Sequence, residues 1–160
     1  MSRSIGTDLP PPLLKLLDGD ELAAKEGVTL LLLTTTGDGW PHVAMLSVGE
    51  LLALDRDLLR VALWPSSTAT RNLSETGQTT ISVVHEGVAY YVRCKSSRRD
   101  DLGVLESDDR LACFDLRVAN ILEDVVPYAK LTSGITFQLA DGPASAARWA
   151  SRVTAMRDAN

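Results

Sequence analysis

Two neighbouring segments with every-other-residue alternation constrain the fold of this chain more than any other feature of its sequence. In residues 88–95, the side chains from Val88 to Cys94 at every second position share one face, and Arg93 and Lys95 lie on the other. Residues 78–85 alternate in the same way, and Glu86-Gly87 joins the two segments. A period of two is that of a β-strand, so two such runs around a two-residue turn predict an antiparallel hairpin.

Further segments with strand character surround this hairpin. Thr36-Gly37-Asp38-Gly39 has the residues that accept the positive φ of a tight turn, and the alternation slips near Asn120 in the way a bulge would cause. About six or seven antiparallel strands predict a mainly β fold, a barrel or a sandwich, and exclude a doubly wound sheet. The additional predicted strands are residues 28–35, 41–47, 58–64, 111–124 and 135–139.

Both ends of the chain have helical character. Prolines 10–12 suit a first helical turn and precede a short leucine-rich face, so residues 1–26 are predicted to be a helical arm. Near the other end, Trp149, Val153 and Met156 recur at helical spacing after Asp141-Gly142-Pro143. The chain is therefore expected to be one domain, with the arm at 1–26, the barrel or sandwich at 27–140 and a C-terminal helix at 141–160.

Composition limits the classes of function. The chain of 160 residues is 45% hydrophobic, which is enough for a core, but only 5% aromatic, so that core must be aliphatic. A net charge of -5 argues against a general nucleic-acid partner. The longest apolar run, Leu30 to Leu33, is too short to span a membrane, and no secretory signal precedes it. Two cysteines give no disulfide framework, so a cytoplasmic protein is expected.

The common signatures of catalytic and metal sites are absent from the sequence. No nucleotide-binding glycine loop, nucleophile elbow or paired-cysteine motif occurs. His42 and His85 lie on different predicted strands without a carboxylate at helical spacing, which gives a metal site little support. We therefore predict no metal site, and the catalytic side chains, if the protein is an enzyme, are not identified from the sequence.

A hydroxyl-rich loop at residues 64–71 carries the clearest functional signal. It leaves a strand and enters a short helix that ends at Gly77. Hydroxyls and an arginine at a helix start suit phosphate or another anion, whereas a plain N-cap needs only one hydroxyl. Trp64, just before the loop, either seals the end of the barrel or contacts a ligand. The predicted anion-binding side chains are Ser66, Ser67, Thr68, Thr70 and Arg71.

A second basic stretch follows in the chain. Arg93, Lys95, Arg98 and Arg99 could form another anion-binding patch. The acidic residues 100–101 come directly after them, which favours a solvated turn.

Three segments together resemble the pyridoxamine 5'-phosphate oxidase-like flavoproteins. They are Gly39-Trp40-Pro41-His42-Val43-Ala44-Met45-Leu46-Ser47, the strand at 58–64, and Ser67-Thr68-Ala69-Thr70-Arg71-Asn72-Leu73-Ser74-Glu75-Thr76-Gly77. The resemblance covers roughly residues 25–140. It implies a split β-barrel that forms a homodimer, with two FMN sites in grooves between the subunits.

The resemblance also implies roles for residues of this chain. The backbone around Val43 and Met45 would border the isoalloxazine ring, and His42 and Ser47 mark the two ends of that strand. Trp64 and Ser66 would lie near the ring or the ribityl chain. The remaining members of the hydroxyl loop would receive the phosphate: Ser67, Thr68, Thr70 and Arg71.

The sequence also departs from the family pattern. The oxidases proper have basic residues where this chain has His42, Ser47, Thr68 and Ala69, so pyridoxamine phosphate oxidation is not predicted. The expected function is a flavin-dependent oxidoreductase acting on a small-molecule substrate or electron donor. The alternatives are a non-catalytic module that carries or senses a flavin, deazaflavin or haem, and a cofactor-free structural dimer.

Overall fold

Eight antiparallel strands form one curled, half-barrel sheet in the computed structural model, which describes residues 1–106 and 109–158. The predicted mainly β fold is confirmed. The strands are β1 (Ser2–Gly6), β2 (Leu30–Thr35), β3 (Pro41–Leu46), β4 (Leu51–Asp55), β5 (Leu58–Leu63), β6 (Gln78–His85), β7 (Val88–Arg98), β8 (Leu105–Glu106), β9 (Asp109–Arg110) and β10 (Ala112–Asp124). Three helices flank the sheet: α1 (Pro11–Leu16), α2 (Thr68–Thr76) and α3 (Gly142–Asp158).

The sheet order is β3-β2-β6-β7-β10-β5-β4, with β1 as the eighth strand paired to β10 off this path, and β8 and β9 form a separate pair. The predicted hairpin is β6–β7, with Gln78 opposite Lys95 and His85 opposite Val88. Both residues of its turn, Glu86 and Gly87, have positive φ, 50° and 81°. Two consecutive positive φ values define the turn type whose twist matches that of the strands, which accounts for the two-residue connection.

The long strand β10 organises one half of the sheet. One of its edges pairs with β7 over nearly its whole length, whereas the other pairs first with β5 and then with β1. Its register against β7 shifts between Val118 and Asn120, where a bulge was predicted. The extra residue lets one strand serve both partners without turning its apolar side chains out of the core.

The core is aliphatic, as the composition predicts. Alternate side chains of β6 and β7, such as Ile81, Val83 and Val92, are buried together with leucines of β2, β4 and β5. Phe114 on β10 is the largest side chain that is completely buried. Burying one side chain of this kind stabilises the fold by roughly 1.5–3 kcal/mol, so the many buried aliphatic side chains supply the main driving force.

Three sequence-based assignments need correction. The arm is not helical throughout, because Ser2–Gly6 pairs with the free edge of β10, and only α1 and a 3-10 turn at Leu22–Lys25 are helical. Residues 135–139 form no strand; Thr136 makes a single bridge with Val28, and the segment packs toward α3 instead. Leu51–Asp55, which is not among the strands predicted from the sequence, forms β4. Residues 159–160 of the predicted terminal helix lie outside the described residues.

A buried ion pair fastens α3 to the sheet. Arg60 on β5 donates from Nε to Asp115 Oδ1 on β10 at 2.6 Å and from Nη1 to the carbonyl of Met156 at 2.6 Å. Arg99 also donates to Asp115, from Nη1 to Oδ2 at 2.8 Å. Arg60 thereby joins β5 both to the carboxylate of β10 and to a carbonyl group near the end of α3.

The turn between β3 and β4 also holds α3. A Cβ atom added to Gly49 would lie 2.1 Å from Trp149 Cγ, so only glycine lets the indole of α3 approach this turn. We expect Gly49→Ala to lower the free energy of unfolding by about 1–3 kcal/mol through overpacking. The measurement is chemical denaturation, with Gly103→Ala as the control because nothing lies within 4 Å of a Cβ there. Equal effects of the two substitutions would contradict this packing.

No helix among residues 1–106 and 109–158 is long and apolar enough to cross a membrane.

Candidate functional site

The hydroxyl loop ends in a well-defined helix start. Ser67 has extended backbone angles, and its Oγ accepts from the backbone N–H of Thr70 at 3.1 Å, so it is the N-cap of α2. Gly77 closes the other end in the left-handed conformation, with φ 67°. The local sequence therefore places the start of a nine-residue helix directly after the loop.

Two hydroxyls hold the shape of the loop. Ser67 Oγ donates to Thr70 Oγ1 at 3.0 Å, and Thr70 Oγ1 donates to the carbonyl of Trp64 at 2.8 Å. Thr70 is buried, with 3% of its surface exposed. These bonds connect the end of β5 to the first turn of α2, so Ser67 and Thr70 are already engaged within the protein.

The other polar side chains of the loop are available to a ligand. Ser66 and Arg71 are exposed and Thr68 is half-buried. None of the three side chains has a hydrogen bond or ion pair with any residue that the structure describes. The N–H groups of Thr68 and Ala69 lie in the first turn of α2, where a helix has no internal acceptor for them. One positive charge, two hydroxyls and two backbone N–H donors thus lie within six residues at the start of α2 and are available to an anion.

Helix α2 brings this loop beside β2 and β3. It packs against both strands, and Asn72 Nδ2 donates to Thr34 Oγ1 at 2.9 Å in the interior. Thr34 lies opposite His42 in the register of β2 and β3. Helix α2 therefore packs on the face of β2 and β3 that carries Thr34 and His42, whereas Val43 and Met45 point to the other face of β3.

Strand β3 presents an apolar outer surface. It is an end strand of the sheet, and Val43 and Met45 alternate outward with 51% and 69% of their surfaces exposed. His42 is half-buried on the opposite face. Trp64, at the start of the loop, is 49% exposed. Exposed apolar side chains on an edge strand are typical of a surface that a ligand or a partner covers.

The far end of β3 opens into a cavity of about 550 Å³, here called the β3 cavity. Met45 and Ser47 line it, and Phe137 and Trp149 form an aromatic wall with their rings edge to face at 6.5 Å. The backbone N–H and hydroxyl of Ser47 both donate to the carboxylate of Glu50, at 2.6 and 2.9 Å. Ser145 and Arg148 of α3 add polar groups to the lining.

The β3 cavity was not predicted as a site from the sequence. Its walls come from the end of β3, the irregular segment 135–139 and α3, which are far apart in the chain. The available signal was the i, i+4 pair Arg148 and Arg152 beside Trp149 on a short amphipathic helix.

Neither thiol nor metal chemistry has support in this structure. Cys94 and Cys113 are buried, and burial raises the pKa of the Cys94 thiol to about 12 and that of Cys113 to about 11. Both stay protonated at neutral pH, and the thiol is the unreactive form. No group of three or more metal-ligating side chains occurs among the described residues.

The chain is similar in sequence to one curated protein and similar in fold to several solved structures. The uncharacterized protein YclD of Bacillus subtilis strain 168 is 38% identical over 138 residues, which cover 86% of this chain and 88% of YclD. No family model matches the chain.

Two solved structures share the fold. A Lactobacillus delbrueckii protein described as a candidate pyridoxamine 5'-phosphate oxidase is 14% identical, with a TM-score of 0.57 over 74% of this chain and 98% of its own. An F420 reductase is 16% identical, with a TM-score of 0.54 over 71% of this chain and 98% of its own. The chain therefore belongs to the same family as YclD, and it has the pyridoxamine 5'-phosphate oxidase-like fold.

Proposed function

We propose that this protein is a flavin-dependent oxidoreductase that binds FMN between the two subunits of a homodimer. The observation that carries the proposal is the exposed Arg71 at the start of α2, whose side chain has no hydrogen bond or ion pair with any described residue, on a helix that packs against the edge strand with the exposed Val43 and Met45. A cationic end next to an apolar surface is the environment that a phosphorylated, aromatic cofactor needs.

The groups in the hydroxyl loop fit a phosphate. Arg71 would neutralise its charge, and Ser66, Thr68 and the N–H groups of the first turn would donate to its oxygens. Ser67 and Thr70 support them, because their mutual hydrogen bonds fix the loop between Trp64 and α2. Arg71 is the one basic residue of the hydroxyl loop, so the hydroxyl and backbone N–H donors would supply the rest of the affinity for the phosphate.

The outer side of β3 fits the apolar part of a flavin. Val43, Met45 and Trp64 would lose exposed apolar surface on binding and would keep water away from the ring. Bound there, the flavin accepts and returns electrons, and the protein supplies its placement and the access of a second molecule. No side chain of the site is assigned as a catalytic acid or base.

The exposed surface of the chain favours a dimer. Its accessible surface is 8601 Å². A folded monomer of 17.3 kDa is expected to expose roughly 7,800 Å². The chain therefore exposes more surface than an average monomer of its mass, as a subunit with an uncovered interface can. The exposed Val43 and Met45 on an edge strand are apolar side chains that a second copy would cover.

The β3 cavity offers room for the second reactant. Its volume of about 550 Å³ lies within the usual range for small-molecule sites, and Met45 belongs both to its lining and to the proposed flavin surface. A small aromatic or apolar electron donor or acceptor bound there would lie next to the flavin.

A deazaflavin is the second candidate cofactor. The structural similarity to an F420 reductase favours it over haem, since the fold is compatible with that class of protein. The same hydroxyl loop would hold its phosphate. The absorbance spectrum of the cofactor extracted from the protein distinguishes a flavin from a deazaflavin.

The phosphate assignment is tested with Arg71→Gln. We expect FMN to bind about tenfold to hundredfold more weakly, because a hydrogen bond to a charged group contributes about 1.5–3 kcal/mol. Riboflavin, which lacks the phosphate, should bind both proteins equally. Quenching of flavin fluorescence gives both dissociation constants.

Arg157→Gln is the matched control, since it removes an exposed arginine of α3 that bonds to the carbonyl of Asp18. It should leave FMN affinity unchanged. Equal losses for FMN and riboflavin in Arg71→Gln, or no loss for FMN, would remove Arg71 from the phosphate site.

A further inference from the structure

A second concave surface crosses the face of the sheet that points away from the core. This outer trough has a volume of about 760 Å³ and runs over β2, β6, β7 and β10. Leu33, Tyr91 and Leu122 give it an apolar floor, and the side chains of Arg93 and Lys95 line it from β7. The trough is separate from the hydroxyl loop and from the β3 cavity, with which it shares no lining residue.

The charge of the outer trough is opposite to that of the protein. The chain has 21 acidic against 16 basic residues, yet no aspartate or glutamate is among the described residues that line the trough. In the sheet register, Arg93 lies between Thr80 and Asn120, and Lys95 lies between Gln78 and Arg117. The nearest cross-strand neighbours of both cations are therefore neutral or positive.

The two cations of the trough differ from the others in the same basic stretch. Arg98 pairs with Asp100 at 2.7 Å and Arg99 with Asp101 at 2.7 Å, as expected for a solvated turn. Arg117 pairs with Asp57 at 2.8 Å. Arg93 and Lys95 make no ion pair or side-chain hydrogen bond in the part of the chain that the structure describes. The predicted solvated turn therefore accounts for Arg98 and Arg99 but not for these two.

Leaving Arg93 and Lys95 without counter-charges is unfavourable for the folded protein. They are two residues apart on one strand, so their side chains point to the same face, and like charges at such positions repel. An anion placed between them would offset that repulsion. The adjacent apolar floor would favour an anion that also carries an apolar group.

We propose that the outer trough binds a small organic anion, with its carboxylate or phosphate at Arg93 and Lys95 and its apolar part over Leu33, Tyr91 and Leu122. The site shares no residue with the flavin surface proposed above, although Leu33 of its floor lies opposite Val43 across β2 and β3. It accounts for a cationic, carboxylate-free surface on an acidic protein.

The probes for this site are 2-naphthoate and its neutral analogue 2-naphthalenemethanol, added to the full-length protein labelled with ¹⁵N. We expect naphthoate to shift the backbone amide signals of residues 78–82 and 91–95 in a saturable way, with at least about tenfold tighter binding than the alcohol. Shifts confined to residues 64–71 or to the β3 cavity would overturn the proposal. So would equal affinity for acid and alcohol, or no saturable shift.

Variants make the test specific. In Arg93→Gln/Lys95→Gln, naphthoate should bind about tenfold more weakly or worse, and its preference over the alcohol should disappear. Arg117→Gln removes one positive charge from the same face but from an existing ion pair, so it should bind naphthoate as the wild type does. Arg71→Gln should also retain binding. If Arg117→Gln weakens binding as much as the double variant, the effect is general electrostatics and the site is rejected.

Discussion

Substitution of Asp115 by Asn is expected to lower the free energy of unfolding by about 3–5 kcal/mol, because it removes one charge from a buried pair and leaves the other behind. Arg60 is 4% exposed, and its guanidinium faces the Asp115 carboxylate at 2.6 Å. The amide of Asn presents N–H groups toward a side chain that can only donate. Urea denaturation of both proteins measures the loss in the free energy of unfolding, with the same dependence of that free energy on urea concentration used for both.

The control for this prediction is Asp57→Asn. Asp57 pairs with Arg117 at 2.8 Å, but both side chains are well exposed, so the loss should be at most about 1 kcal/mol. Comparable losses for the two variants would contradict the structural role assigned to the buried pair. A large loss for Asp115→Asn alone would support it.

The same carboxylate makes stability depend on pH. Burial by itself raises the pKa of Asp115, but hydrogen bonds from Arg60 and Arg99 outweigh burial, so its pKa lies below the usual value. A carboxyl group with a lowered folded pKa adds stability above its unfolded pKa and loses it as the pH falls through the folded pKa. The difference in stability between wild type and Asp115→Asn should therefore be constant near neutral pH and shrink below about pH 4.

Substitution of Met45 by Glu is expected to weaken dimerisation by at least about a hundredfold, since an unpaired charge in an interface costs several kcal/mol. Met45 is 69% exposed on the edge strand β3, so the substitution removes little from the monomer core. FMN affinity should fall together with dimerisation, because the proposed flavin surface needs both subunits. Sedimentation at several concentrations, with and without FMN, measures both effects.

Tyr128→Glu is the control for Met45→Glu. Tyr128 is an exposed aromatic side chain, 87% accessible, in the segment after β10. The substitution introduces the same charge outside the proposed interface, so it should change neither dimerisation nor FMN affinity. If Met45→Glu remains dimeric, the interface does not include β3. A dimer that loses only FMN would place Met45 at the cofactor and away from the subunit contact.

The parts of the fold that sequence predicted well are those set by local patterns. Alternation along β6 and β7 and the Glu86-Gly87 turn determine the hairpin without reference to the rest of the chain. The strand Ser2–Gly6 was not predictable in this way. Its backbone pairs with the half of β10 that β5 leaves free, and that vacancy exists only once the sheet has formed.

In the candidate site, too, the residues that are neighbours in the chain were predictable and their contacts with other elements were not. The loop before α2 is visible in sequence because its hydroxyls and Arg71 are neighbours in the chain. Which of them are engaged is a tertiary property, decided by the bonds of Ser67 and Thr70 to the end of β5. The residues of the basic stretch also differ in their pairing. Arg98 and Arg99 form ion pairs with nearby aspartates, whereas the register of β7 keeps Arg93 and Lys95 away from those aspartates.

The most direct test of the central proposal is the composition of the protein after incubation with FMN and gel filtration. The account predicts a yellow dimer that retains about one FMN per chain, since each subunit contributes one hydroxyl loop, and a flavin fluorescence that is quenched on binding. A colourless protein that elutes as a monomer, with no quenching of FMN at tens of micromolar, would contradict it.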